Sequence, residues 1–137
     1  MRAFFVARPC AVTVYKRRMT NTVWEGRRVE VPGKGRLWSE ACGPQDGTAV
    51  LLVMGAMNPG VVWPPALVQA LIDGGCRVLR YDHRDTGRSF QTGMAGAPYT
   101  LDDLTEDARR VLDAWDVGTV ALVGWSMGGY IAQTLAR

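Results

Sequence analysis

A chain of 137 residues with 47% apolar and 21% charged content suits one packed domain and excludes a disordered polymer. Its net charge of +3 is a poor sign of an anionic partner. Five of the 16 bases (Arg2, Arg8, Lys16, Arg17, Arg18) fall in residues 1–18, which hold no acid, leaving eleven bases against 13 acids in the remainder. The body is mildly acidic and gives no nucleic-acid signal.

Residues 1–18 form a basic N-terminal extension without clear periodicity, and residues 19–137 the domain proper. Met19 opens a stretch of different character. Two readings stay open: Met19 as the true start, or a basic surface-binding tail. Arg8 and Pro9 interrupt what little leader-like hydrophobicity residues 1–15 have, and no Ala-x-Ala site follows, which argues against export.

Residues 24–31 alternate loosely, Pro32-Gly33-Lys34-Gly35 is a turn signal, and residues 36–41 read as a second strand, so a hairpin is expected. After a loop at 43–47, the unbroken apolar run 49–54 is what a strand buried on both faces of a parallel sheet requires. Pro64 and Pro65 suit a first helical turn, where their missing amide hydrogens would have no partner. Leu67, Val68, Leu71 and Ile72 then recur at helical spacing up to Gly74-Gly75. Residues 76–81 form the next strand and 82–89 its exit loop.

Thr100 is a good N-cap, with Asp102 and Asp103 in the positively polarised first turn. Leu101, Leu104, Ala108, Val111, Leu112 and Trp115 make one apolar face, and Gly118 is the expected stop. Residues 119–124 form a third buried strand, and a helix starts at Gly128. From residue 49 the order strand, helix, strand, helix, strand, helix predicts an α/β fold, a mostly parallel sheet with helices on both faces.

The most informative motif is Gly124-Trp125-Ser126-Met127-Gly128, a serine between two glycines where a strand turns into a helix. With 16 Gly in 137 residues, a serine is so flanked by chance about once in seventy. The strand before it and the helix after it are therefore what give the match weight. Such a turn presents the hydroxyl at the C-terminal edge of the sheet, beside helix amides that can stabilise an oxyanion. Ser126 is the expected nucleophile and the Met127 amide one oxyanion donor. The second donor is expected from the loop Met54-Gly55-Ala56-Met57-Asn58-Pro59-Gly60, at Ala56, with Gly55 letting the backbone bend toward Ser126. The alternative for Ser126 is a helix cap in an unrelated Gly-rich turn.

The runs Leu51-Leu52-Val53-Met54-Gly55, Trp63-Pro64-Pro65, Arg80-Tyr81-Asp82-His83-Arg84-Asp85-Thr86-Gly87-Arg88-Ser89 and Gly124-Trp125-Ser126-Met127-Gly128-Gly129 resemble the α/β-hydrolase fold family, in the branch that includes aclacinomycin methylesterase. The similarity spans roughly residues 29–137. It implies a serine hydrolase acting on a carboxylic ester through an acyl-serine intermediate, with a methyl ester on a bulky natural product as one substrate class. Met54-Gly55 stands where many relatives have His-Gly. Ser rather than Asp at the elbow disfavours dehalogenase or epoxide-hydrolase chemistry.

The resemblance also implies further strands, a lid, an acidic triad member and a late His after the elbow helix, so the chain is expected to be truncated and to turn over little alone. His83 is its single imidazole. A solvated loop residue is the favoured reading of His83, and general base the remote one. Asp82, Arg84 and Asp85 read equally as a local ion-pair network or as surface turn chemistry. Residues 119–123 would form an exposed apolar edge, which leaves self-association open. The alternative to an esterase is a non-catalytic remnant that binds a ligand or partner. A phosphate-binding domain is disfavoured, because neither Gly-x-Gly-x-x-Gly nor Gly-Lys-Ser/Thr occurs. Cys10, Cys42 and Cys76 fit neither a disulfide framework nor a zinc site and read as free thiols in a reducing cytoplasm. No apolar run reaches the ~18 residues that span a bilayer. No cofactor or metal motif is present; the expected partner is a small-molecule ester.

Overall fold

The computed structural model describes residues 23–93 and 98–137; the basic extension 1–18, Met19 and Cys10 lie outside them. Two strands, β1 (Glu25–Val31) and β2 (Gly35–Cys42), form the expected antiparallel hairpin, paired from Glu25 with Ala41 to Val31 with Gly35. Three more strands, β3 (Thr48–Val53), β4 (Cys76–Tyr81) and β5 (Ala121–Gly124), run parallel to one another. The sheet order is β1-β2-β4-β3-β5, with β2 antiparallel to β4. The hairpin thus extends a parallel unit into a mixed sheet.

β3 lies between β4 and β5 and is covered on both faces, which is why its sequence is apolar without alternation. Ala49, Leu51 and Val53 join Leu79, Tyr81 and Ile131 in one core. Val50, Leu52 and Met54 join Val78, Trp63 and Val68 in the other. Helix α1 (Pro65–Asp73) packs on this second face, while α2 (Leu101–Ala114) and α3 (Met127–Leu135) pack on the first. Helices therefore cover both faces, as the alternation of elements requires.

Local signals account for most boundaries. Pro65 opens α1, and Gly75, at φ +83°, follows its end. Of the four apolar positions expected to face the core from α1, Val68 is fully buried, Leu71 and Ile72 are half-buried, and Leu67 is exposed. Thr100 and Asp103 form a reciprocal capping box at α2, with Asp103 N donating to Thr100 Oγ1 (3.2 Å) and Thr100 N to Asp103 Oδ2 (2.8 Å).

Gly118 does not stop α2. The helix ends at Ala114 with Trp115 as its C-cap, and Asp116 then takes the left-handed position at φ +56°. Val117 N donates to Leu112 O and Asp116 N to Asp113 O, the paired bonds of a Schellman turn, and Val117 packs into the core. An aspartate tolerates that backbone, so the stop signal carried no glycine. β5 begins at Ala121 rather than at residue 119. It is not buried on both sides: Leu122 and Val123 are half-buried and Ala121 and Gly124 exposed, because among the described residues β5 ends the sheet and pairs with β3 alone.

Candidate active site

The C-terminal ends of β3, β4 and β5 bring three loops together. After β5 the chain turns sharply into α3, and Ser126 occupies the turn at φ 52°, ψ −120°, a strained backbone for a residue with a Cβ. The strain is held by neighbours: Trp125 N donates to Val53 O (3.0 Å), Gly128 N to Trp125 O (2.9 Å) and Gly129 N to Ser126 O (2.8 Å). A Cβ on Gly124 would lie 2.4 Å from the Gly128 carbonyl oxygen, and one on Gly128 would lie 2.0 Å from that of Val53. Both glycines are needed for strand and helix to approach this closely.

Ser126 is exposed, and although it occupies the N-cap position of α3 its side chain makes no capping hydrogen bond. Thr100, a working cap, contrasts with it. Met127 begins α3, so its amide is among the first-turn donors that have no acceptor within a helix.

The loop leaving β3 passes directly over this turn. A Cβ on Gly55 would sit 3.3 Å from Ser126 Cβ and 3.2 Å from Trp125 Cδ1. Ala56 and Met57 are exposed, Met57 at φ +65°, and Asn58 Nδ2 donates to Ala56 O (3.0 Å). The structure thus brings Ala56, Ser126 and Met127, all singled out by the sequence, to one edge of the sheet.

The loop after β4 differs from its sequence reading. His83 is not a solvated residue: it is 2% exposed, and its Nε2–H donates to the Met54 carbonyl (2.9 Å) at the start of the β3 loop. Burial pushes its pKa below the ordinary histidine value, against the opposing pull of Met54 O, Asp107 and Asp82. Asp82 is buried and accepts from Gly60 N (2.7 Å) and Arg88 N (2.8 Å), which ties the β3 loop to the β4 loop.

Arg84 pairs with neither Asp82 nor Asp85. Its Nε and Nη2 donate to the two carboxylate oxygens of Asp107 on α2, at 2.8 and 2.7 Å, with both side chains buried. Burial works against the Arg84 charge, but the Asp107 carboxylate outweighs it and its pKa rises. Asp85 accepts from Thr92 N (2.5 Å) and Thr92 Oγ1 (2.7 Å). Surface turn chemistry is therefore wrong for Asp82 and Arg84. The network exists, but it reaches into the core. Asp107 was missed in the sequence, although an acid amid Leu104, Ala108 and Val111 on an apolar helix face was the signal for a buried cation partner.

A strained serine stands between strand and helix, crossed by the loop leaving β3, and the sequence profile described as "alpha/beta hydrolase fold" matches residues 48–137. The chain belongs to the α/β-hydrolase fold family. This α/β-hydrolase chain is 44% identical over 100 residues to rhodomycin D methylesterase DnrP of Streptomyces peucetius, covering 73% of this chain and 34% of that protein. It is 41% identical over 97 residues to a proposed carbamate hydrolase, RutD of Variovorax paradoxus, covering 71% and 35%. The chain spans about a third of the length of these curated relatives.

Among solved structures it is similar to a thioesterase domain from the curacin biosynthetic pathway (TM-score 0.73, 25% identity, 83% of this chain and 41% of that one). A carboxylesterase structure from Nitrososphaera gargenis is also similar (TM-score 0.71, 27% identity, 80% and 40%).

Proposed function

We propose that Ser126 is the nucleophile of a carboxylic ester hydrolase and that the amides of Ala56 and Met127 form its oxyanion hole. The observation that carries this reading is the strained Ser126 backbone with Gly55 packed against it. In the reaction, Ser126 Oγ would attack the ester carbonyl and the two amides would stabilise the tetrahedral oxyanion. The alcohol would leave to give an acyl-serine, and water would then release the acid. A methyl ester on a bulky, largely apolar molecule is the favoured substrate class, since the relatives at 44% and 45% identity are named as methylesterases.

A serine hydroxyl needs a base, and the sequence offers one imidazole, His83, whose Nε2 is committed to the Met54 carbonyl. We infer that these 137 residues alone react slowly, and that the triad acid and base are supplied from outside them. Free thiols at Cys42 and Cys76 favour a cytoplasmic setting. No described helix is long and apolar enough to cross a membrane.

The test is labelling with a fluorophosphonate, read by mass spectrometry of the peptide holding residue 126. Slow adduct formation that Ser126→Ala abolishes is expected. Adduct formation that survives Ser126→Ala would overturn the nucleophile assignment, and labelling within seconds would overturn the inferred dependence on an external base. The commitment of His83 also keeps a second reading in view, a non-catalytic protein that uses the same cleft to bind. Ser126-independent binding of an aryl methyl ester, without turnover, would favour it.

A further inference from the structure

His83 has a task that the reaction scheme above leaves unused. It is nearly inaccessible, its Nε2–H reaches the carbonyl of Met54, and Nδ1 is buried with no hydrogen-bond partner among the described residues. The carbonyl it holds belongs to the peptide that enters the loop crossing Ser126. That oxygen also lies close to the first turn of α3, since a Cβ on Gly128 would be 2.6 Å from it. Left without a donor, it would be an unsatisfied buried acceptor, and its peptide would gain by rotating toward another partner. Gly55 follows at once and has no Cβ to resist such a rotation. The next peptide carries the Ala56 amide.

We propose that His83 is a positioning residue: through Met54 O it fixes the Met54–Gly55 peptide and so aims the Ala56 amide at the site where charge develops on Ser126 chemistry. This rests on the reading of Ser126 as nucleophile and of Ala56 as oxyanion donor. The imidazole itself is in a fixed setting. Thr86 Oγ1 donates to the His83 carbonyl (2.7 Å), and the Tyr81 ring stands edge-on to the imidazole at 5.0 Å. Asp82 and Asp107 are the charged groups that bear on it. The role asks for a neutral donor at Nε2, not for a base.

Three replacements separate donor from shape. His83→Gln puts an amide nitrogen at the reach of Nε2, His83→Asn reaches only as far as Nδ1, and His83→Met fills space without a donor. In the fluorophosphonate reaction the Ser126 Oγ–P bond forms, the P–F bond breaks, fluoride departs and the hydroxyl proton passes to water. The adduct oxygen then lies where the oxyanion would.

His83→Met and His83→Asn are expected to lower the first-order labelling constant roughly ten- to a hundredfold with the inhibitor constant nearly unchanged, and His83→Gln to recover most of it. The Gly55 and Ala56 amide resonances are expected to move in the Met variant and to return in the Gln variant, a readout that needs no turnover. Equal labelling and unmoved amides across the three variants would overturn the proposal while Ser126-dependent labelling stood. Labelling that ignores Ser126→Ala would instead sink the nucleophile reading. If the Met variant does not fold, the imidazole nitrogen resonances of the wild-type chain decide. An Nε2–H tautomer protected from exchange is expected, and an Nδ1–H tautomer or a freely exchanging proton overturns the proposal.

Discussion

Arg84 and Asp107 meet through two parallel hydrogen bonds of 2.8 and 2.7 Å, one residue from the loop after β4 and the other from the buried face of α2. Phe90 and Tyr99 stack around the guanidinium, at 5.6 and 5.1 Å from ring centroid to Cζ. The pair ties the segment that holds His83 to the helix layer. Removing one partner strands the other charge in the core, which costs more than the pair contributes. Asp107→Ala is expected to destabilise the fold by about 3–5 kcal/mol in denaturant titration, and Arg84→Met with Asp107→Leu to recover a large part. A loss below about 1 kcal/mol for Asp107→Ala would show the pair to be solvated in solution.

The glycines make a second, sharper contrast. Gly128→Ala would drive a methyl group into the Val53 carbonyl at 2.0 Å, and that oxygen is backbone with no easy way to yield. At Gly118 nothing lies within 4 Å of the added carbon and φ is not positive. Gly118→Ala should be neutral or stabilise by up to about 1 kcal/mol through the unfolded chain. Gly128→Ala should unfold the elbow or cost several times that amount. Melting temperatures of the two variants side by side test this, and equal values would contradict the close approach of α3 to β3.

Much of this was legible beforehand because it depends on local chemistry. Pro65, Gly75, the Thr100 cap and the apolar run of β3 each state their structure in a few adjacent residues. So does the tight turn between β5 and α3, where Gly124 and Gly128 record a steric demand. What could not be read needs partners distant in sequence. His83 and Met54 are 29 residues apart, and Arg84 and Asp107 are 23 apart. A run such as Asp82-His83-Arg84-Asp85 looks like a solvated turn until the fold buries it. The end of α2 was misplaced for another reason: Asp116 took the left-handed position that the sequence seemed to reserve for Gly118.

Acid should weaken the fold in two separate windows. His83 is held neutral with its pKa below the ordinary 6.5, whereas the unfolded chain takes up a proton near that value. Between the two pKa values the unfolded state binds more protons, so stability rises with pH. The His83 contribution is fully present above pH 6.5 and is lost as pH falls below it. Asp85 behaves as a carboxylate does. Its burial opposes ionisation, but bonds from Thr92 and Tyr99 prevail and lower its pKa below 3.8, so its contribution fades only in more acidic solution. Urea titrations from pH 8 to 4.5 should show stability falling below 6.5 in the wild type and a flatter profile in His83→Gln. Identical profiles would mean that His83 is solvated.

β5 offers the last prediction. It pairs with β3 through Val50–Ala121 to Val53–Gly124 and with no described strand on its other side, so a row of backbone donors and acceptors lies open beside half-buried Leu122 and Val123. Such an edge is a template for pairing. In the isolated chain its nearest complement is the same edge of a second copy, so concentration-dependent self-association is expected in sedimentation velocity. Ala121 is exposed on this strand, and a charge there would have to be desolvated in any edge-to-edge pairing. Ala121→Lys should shift the distribution toward monomer while leaving the melting temperature of the monomer nearly unchanged. If Ala121→Lys associates as the wild type does, the contact lies elsewhere, and the exposed Trp125 and Tyr130 beside the elbow become the surface to test.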